Sequence, residues 1–256
     1  MMIRSALLAL LLSTVPVLAA APPTDKARYE QCLSQANLSP AVALATAGKW
    51  SAEKGGAPAE HCSAVALVSL KRYAEGAAKL DALGGAPGMG ALRPQLFDQA
   101  GNAWMLAGEI GKAIGSFQSA LALSANDPDL YGDLARAQAM QGDWPSVESD
   151  LNAALAIQPR RADLLVLRAS ARGAQNRFLD ARKDVDAALQ LSPRSLDALM
   201  ERGSIKRDSG DLKGARADFQ AVLTASPSGA TRNDAQRNLA ALDEAAKSAP
   251  AAIKKK

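Results

Sequence analysis

The sequence predicts an all-α fold, a solenoid of stacked antiparallel helix pairs. Small residues recur every 34 positions, at Gly101, Ala135, Ala169 and Gly203. A repeat of this period is typical of helical units that bury their apolar faces only by stacking on one another. Further small residues, large apolar residues and prolines keep the same register. They are Ala113, Val147, Ala181 and Ala215; Phe117, Leu151, Val185 and Phe219; Ala120, Ala154, Ala188 and Val222; and Pro159, Pro193 and Pro227.

Turn and cap residues support the helix pairs independently. One position in each period carries a residue type that tolerates the left-handed conformation found after a helix. These residues are Gly108, Gly142, Asn176 and Gly210. Asp127 followed by Pro128 is typical of a helix start, with a capping carboxylate and then proline in the first turn.

This order of small, large and proline residues resembles the tetratricopeptide repeat over residues 94–229. The resemblance implies a right-handed superhelical solenoid in which each unit has a helix A and a helix B. Small residues let the two helices approach, and large residues fill the space between them. The predicted units are 94–127, 128–161, 162–195 and 196–229.

The pattern weakens over residues 20–93, where we expect degenerate helical hairpins, as is usual for the terminal units of a solenoid. One hairpin is predicted over 25–50, and a fifth, degenerate unit is predicted to start near Ala57 and to be followed by a Gly-rich insertion at 84–90. The apolar residues that fit the repeat in that unit are Tyr73, Leu80 and Leu83.

Beyond the repeats, Leu239 and Leu242 share one face of a predicted helix over 230–247 that covers the last unit. We expect a disordered basic tail at 248–256.

Residues 1–19 predict a cleaved secretory signal peptide. Arg4 precedes an apolar run that ends in small residues near Ala19. The alternative is an uncleaved membrane anchor, although the run is short for a bilayer and Pro16 interrupts it. A periplasmic or secreted protein is therefore expected, without stable membrane insertion after cleavage.

The two cysteines, Cys32 and Cys62, both lie in the degenerate N-terminal segment. In an oxidising compartment an even pair predicts a disulfide. Closing a loop of about 30 residues contributes roughly 3 to 4 kcal/mol in the chain-entropy model. The alternative is two free buried thiols.

The charge distribution argues against a nucleic-acid partner. The chain has a formal charge of +4 and a pI near 9.1. Residues 94–229, however, hold 15 Lys and Arg against 17 Asp and Glu, so the basic charge belongs to the flanking segments. The lysines at 254–256 give only a weak, salt-sensitive attraction to anionic surfaces.

No motif in the sequence predicts catalysis, a metal or a cofactor. His61 is the sole histidine, and it precedes Cys62 directly, so on a helix the two side chains point in different directions. The GGAPGMG stretch at 84–90 lacks the Gly-Lys-Ser/Thr of a phosphate-binding loop. Trp104 and Trp144 occupy repeat positions where this family places core aromatics.

Two arginines, Arg168 and Arg202, occupy a repeat position that is normally apolar, so each requires a buried partner. Pairing within a unit would leave Asp150 facing an apolar residue. We therefore predict ion pairs between units, Asp150 with Arg168 and Asp184 with Arg202, that fix the stacking geometry.

The resemblance also implies a concave surface lined by helix A. Met105, Met140 and Met200, the only methionines of the four units, map to it and predict a soft apolar groove for an extended or helical segment. The alternative is that they fill gaps between helices. The candidate peptide-binding residues are Asn102, Met105, Leu106, Arg136, Met140, Met200 and Arg207.

Acidic residues add two expectations for this surface. Asp98 and Asp133 stand where relatives that bind a C-terminal carboxylate carry Lys and Asn, so no such clamp is expected. A row of aspartates either selects basic peptides or, as we prefer, favours the helix dipole. The row is Asp129, Asp163 and Asp197.

The sequence thus predicts a non-catalytic scaffold that binds a protein or peptide segment in the periplasm or cell envelope. The alternatives are a self-associating structural envelope protein and an accessory subunit of an envelope enzyme or assembly complex.

Overall fold

The computed structural model describes residues 25–226 and 228–248, which form thirteen α-helices and no strand. The predicted all-α class is confirmed. The predicted signal peptide, Pro227 and residues 249–256 of the predicted tail lie outside the described residues. The helices are α1 (Asp25–Leu38), α2 (Pro40–Ala52), α3 (Gly56–Ser69), α4 (Tyr73–Gly85), α5 (Arg93–Leu106), α6 (Ile110–Leu123), α7 (Pro128–Gln141), α8 (Trp144–Ile157), α9 (Ala162–Ala174), α10 (Phe178–Leu191), α11 (Leu196–Asp208), α12 (Leu212–Ala225) and α13 (Ala230–Ser248).

Consecutive helices pack in pairs, and α5 to α12 supply one pair to each of the four predicted units. The pairs α1–α2 and α3–α4 precede them, and α13 packs on α12. Within each of the four predicted units, a tight turn joins the first helix to the second. The residues at these turns have positive φ: Gly108 (77°), Gly142 (76°), Asn176 (58°) and Gly210 (90°). None of the helices in the described part of the chain combines the length and apolar character needed to cross a bilayer.

The small residues of the 34-residue period are required by close contact within each pair. A Cβ atom added to Gly101 would lie 2.6 Å from Phe117 Cε1, and one added to Gly203 would lie 2.5 Å from Phe219 Cε1. Where the facing residue of the second helix is smaller, as in the units that carry Leu151 and Val185, the first helix has alanine instead. The volumes of the two positions therefore compensate each other.

A disulfide joins Cys32 on α1 to Cys62 on α3, with Cα atoms 6.0 Å apart. The structure therefore has the predicted disulfide and not the alternative of two free thiols. The bond crosses between the two N-terminal helix pairs. It ties together the part of the chain in which the repeat pattern is weakest.

The predicted ion pairs between units are wrong. Arg168 forms a two-pronged bond with Asp184 of its own unit, with N···O distances of 2.8 and 2.7 Å. Arg202 binds Asp218 of its own unit in the same way, at 3.0 and 2.7 Å. Asp150 is not near Arg168 but accepts a hydrogen bond from Gln138 at 2.9 Å.

The prediction failed because it overlooked a second partner on the first helix. Gln138, Arg172 and Lys206 occupy the same repeat position, and each binds the aspartate of its own second helix. Asp150 therefore has a partner although Leu134 faces it. The arginines do reach the preceding unit, but at a different position: Arg168 donates to Asn152 at 2.8 Å and Arg202 to Asp186 at 3.2 Å.

Gly203→Ala should destabilise the protein by about 1–3 kcal/mol, because the added methyl group overpacks Phe219. Adding Phe219→Leu recreates the alanine and leucine pairing of the second unit. The double variant should therefore lose less unfolding free energy than the two single variants lose in sum, by at least about 1 kcal/mol. Urea unfolding measures all three variants. Gly173→Ala is the control, since its Cβ would lie an ordinary 3.6 Å from its nearest neighbour; it should stabilise slightly.

The pairing of Arg168 can be measured with two double-mutant cycles. Arg168→Gln with Asp184→Asn should show a coupling energy of about 1–3 kcal/mol, because the pair is largely buried and bidentate. Arg168→Gln with Asp150→Asn should be additive to within about 0.5 kcal/mol. A larger coupling to Asp150 than to Asp184 in urea unfolding would contradict the pairing within the unit.

Candidate functional site

The candidate peptide-binding residues lie on the first helices of the units, α5, α7 and α11. Asn102 donates to the Asp98 carboxylate at 3.1 Å, and Leu106 is 60% exposed. Arg136 pairs with Asp133 at 2.5 Å. Arg207 binds Asp208 and also reaches Asn238 on α13.

The three methionines have different surroundings. Met105 is half-buried against the core cluster that contains Phe117, and Met200 is half-buried against the cluster that contains Phe219. Met140 is 59% exposed. Met105 and Met200 thus pack as gap-filling residues, and Met200 also lines a surface depression together with Arg136.

This depression, here called the C-terminal basin, has a volume of about 910 Å³. Four helices contribute to it: α7, α9, α11 and α13, with serines from the connection between α10 and α11. It therefore runs across several repeats on the side of the first helices. Its polar lining consists of Arg136, Asp163, Ser170, Ser192, Ser195, Asp197, Glu201, Ser204, Thr231 and Asp234.

Carboxylates dominate the charge of the C-terminal basin. Burial raises the pKa of Glu201 to about 7, and the negative charge of Asp208 adds to the effect. The Ser170 hydroxyl and the Arg207 charge act in the opposite direction but do not cancel it. Arg136 is the sole basic residue that lines the described basin.

The predicted row of aspartates is partly neutralised. Arg161 bridges Asp129 and Asp163, with N···O distances of 2.8 Å to each. Its guanidinium lowers the pKa of Asp163, and backbone N–H groups at the start of α9 contribute in the same direction. Asp163 thus accepts hydrogen bonds from backbone N–H groups at the N-terminus of α9, as the helix-dipole interpretation expects. Asp197 lies in the first turn of α11, where a carboxylate also favours the helix dipole, and it lines the C-terminal basin.

A second acidic group lies between α5 and α7. Burial raises the pKa of Asp98 to about 6, and the nearby carboxylates of Asp133, Asp127 and Asp129 add to the shift. A site for a partner's C-terminal carboxylate needs positive charge at this place. The structure puts negative charge there instead.

A cavity of about 410 Å³, here called the N-terminal cavity, opens between α1, α3 and α5. His61 lies in its wall, where its Nδ1 is 2.5 Å from the Tyr29 hydroxyl and its Nε2 is 2.8 Å from Gln99 Oε1. Burial raises the pKa of Tyr29. The cavity is lined by Tyr29, Leu33, Asn37, Ala57, Pro58, His61, Val65, Leu83, Met89, Leu92, Gln95, Leu96 and Gln99.

Neither region has the arrangement of a catalytic or metal centre. His61 binds a phenol and an amide, and the neighbouring Cys62 is held in the disulfide, so no nucleophile and base are paired. Among the described residues no three His, Cys, Asp or Glu side chains converge as metal ligands.

No family model matches the sequence, and no curated protein sequence matches it. Solved structures do resemble it. The C-terminal part of a TPR repeat-containing protein from Cytophaga hutchinsonii is 16% identical, with a TM-score of 0.64 over 84% of this chain and 95% of that one. A tetratricopeptide repeat protein from Parabacteroides merdae is 16% identical, with a TM-score of 0.61 over 86% of this chain and 74% of that one.

The chain has the tetratricopeptide repeat fold. A third similar structure is YrrB, described as a TPR protein with an unusual peptide-binding site. It is 15% identical, with a TM-score of 0.55 over 74% of this chain and 96% of that one. The fold predicted from the 34-residue period is thus confirmed.

Sequence reasoning missed the N-terminal cavity of this tetratricopeptide repeat chain. The cavity lies where the repeat register is broken, so no repeat position pointed to it. The GGAPGMG stretch at 84–90 was the available signal, because it marks the longer connection between α4 and α5, whose Met89 lines the cavity.

Glu201→Gln should change how stability depends on pH. The pKa of Glu201 is near 7 in the folded state and about 4.5 in the unfolded state, so its protonated form favours folding. That contribution is complete below about pH 4.5 and is lost as pH rises through 7. The unfolding free energy of the variant, relative to that of the wild type, should therefore be up to about 3 kcal/mol higher at pH 8 than at pH 5. Thermal unfolding at both pH values measures this gain; Glu30→Gln, an exposed change on α1, controls for the lost charge.

Proposed function

We propose that this chain is a non-catalytic scaffold that binds a segment of another protein along the side of its first helices. The C-terminal basin is the observation that carries the proposal. It is built by the first helices of three units, α7, α9 and α11, together with α13, which follows the last unit. It therefore offers one surface that extends over several repeats. An extended or helical segment fits such a surface better than a small molecule does.

The chemistry of the basin indicates the kind of segment. Asp197 and the partly ionised Glu201 contribute acidic charge, whereas Asp234 is paired with Arg237 and Arg136 with Asp133. Serines supply hydroxyl groups for hydrogen bonds. Complementary charge favours a segment that carries Lys or Arg. Such binding should weaken as salt concentration rises, because the basin is open to solvent.

We further propose that the scaffold works in the periplasm or cell envelope. Two observations support this location. Residues 1–19 have the pattern of a secretory signal, and the Cys32–Cys62 disulfide is of a kind that persists in oxidising compartments.

Site-specific photocrosslinking in cells tests the proposed function. A photoreactive amino acid at Ser204, in the basin, should give a discrete adduct with another protein. The same amino acid at Gln220, exposed on the second helix α12, is the matched control and should give none. Ser170→Arg should reduce the Ser204 adduct at least tenfold, since it brings a bulky positive charge into the basin.

Two results would contradict the scaffold. Adducts from Gln220 but not from Ser204 would place the partner on the other face. An adduct whose mass equals two copies of this chain would support the self-associating structural protein instead.

A further inference from the structure

One of the connections that line the N-terminal cavity is longer than the connections between the later units. Residues 124–127, 158–161 and 192–195 join a second helix to the next first helix with four residues each. Between α4 and α5 the connection is residues 86–92, which is three residues more.

The longer connection also shapes the rim of the cavity. Gly88 and Gly90 have φ values of 90° and 49°, a conformation that favours glycine. They flank Met89, whose side chain lines the cavity and packs against the neighbouring core cluster. Leu92, 56% exposed, lies beside it at the rim.

The interior of the cavity is apolar and carries no Asp, Glu, Lys or Arg side chain among its described lining. Leu33, Val65, Leu83 and Leu96 supply apolar wall. Its volume lies in the range of about 300–1,000 Å³ that is typical of pockets for small ligands. Burying a charged group here would cost several kcal/mol without a partner, so the occupant is uncharged.

The polar groups of the cavity fall into two sets. Tyr29, His61 and Gln99 satisfy one another through the hydrogen bonds described above. Asn37 and Gln95, both exposed at the cavity, make no side-chain hydrogen bond within the described residues. Their amides match the donor and acceptor pair of a peptide bond.

The disulfide holds two walls of the cavity in place. Cys32 directly precedes Leu33 on α1, and Cys62 directly follows His61 on α3. The bond between the cysteines therefore fixes these two lining residues relative to each other. A cavity that is already formed loses less freedom when it is filled.

We infer that the N-terminal cavity binds an uncharged aromatic side chain of the bound protein segment, while Asn37 and Gln95 pair with the backbone beside it. The inference rests on the proposed function, because the side chain belongs to the same partner. An aromatic ring gains contacts with the Met89 thioether and with the rings of Tyr29 and His61, all of which line the cavity.

A small probe tests the cavity without knowledge of the partner. N-acetyl-L-tryptophanamide carries an uncharged aromatic side chain between two amides. Titrated into the chain labelled with ¹³C at its methionine methyl groups, it should shift the Met89 signal, which a Met89→Leu variant identifies. N-acetyl-L-lysinamide should bind at least tenfold more weakly.

Two variants should block the probe. Ala57→Phe fills the cavity from the first turn of α3, and Leu92→Lys places a charge at the rim without disturbing the interior. Ala78→Phe, on an exposed position of α4, is the matched control and should bind the probe as the wild type does. An unmoved Met89 signal, or equal shifts in Ala57→Phe and Ala78→Phe, would overturn the inference.

Peptides selected from a random library against the whole chain separate this inference from the proposed function. We expect them to share an aromatic residue and to lose at least tenfold in affinity for Ala57→Phe, but not for Ala78→Phe. Peptides that bind without an aromatic residue and ignore Ala57→Phe would overturn the cavity site and leave the scaffold standing. If no peptide binds while the probe does, the proposed function fails, and with it the assignment of the side chain to a protein partner.

Discussion

The contact between one small residue of each first helix and one large residue of its second helix determines how the repeats are built. Gly101 lies against Phe117 and Gly203 against Phe219 so closely that no Cβ atom fits between them. Where the large residue is Leu151 or Val185, the space is filled by alanine on the other side. The combined volume of the two residues therefore varies less than either volume alone, which favours a similar helix separation in every unit. Units of similar thickness can then stack with a regular period.

Constant stacking places the same side of every first helix on one surface. Residues that face the second helix are committed to the core, and the buried aspartates Asp184 and Asp218 are paired there with basic side chains of the first helix. The remaining positions of α7, α9, α11 and α13 are free to line the C-terminal basin. The N-terminal cavity is the counterpart of this regularity, since it opens at the one connection that is three residues longer.

The period, the helix pairs and the capping helix could be predicted because each depends on local residue types at fixed spacing. The disulfide partners could be predicted because the chain has two cysteines. The ion pairs could not be predicted, because the aspartate of each second helix can meet side chains of its own first helix or of the next one. Only the packing of the helices decides between these partners. Asp150 pairs with Gln138, a neutral residue that a search for opposite charges ignores. Lys71 shows the same limit: its φ of 62° places it in the left-handed conformation although no glycine marks the turn.

The candidate site was predicted only in part. The predicted helix A is the element that lines the C-terminal basin, and Arg136 and Met200 lie among the lining residues. Burial is the main cause of the raised pKa of Glu201, and repeat spacing carries no information on how deeply a polar residue lies. The N-terminal cavity is lined by α1, α3, α5 and the connection at 86–92, and repeat spacing carries no information on the space that such non-repeating elements leave between them.

Hydrogen exchange of the chain with and without the segment captured at Ser204 tests the central claim most directly. If the segment binds along the first helices, the amides of α7, α9, α11 and α13 should exchange more slowly in the complex, and those of α8, α10 and α12 should be unchanged. Protection confined to α8, α10 and α12 would contradict the account, because it would place the partner on the side of the second helices.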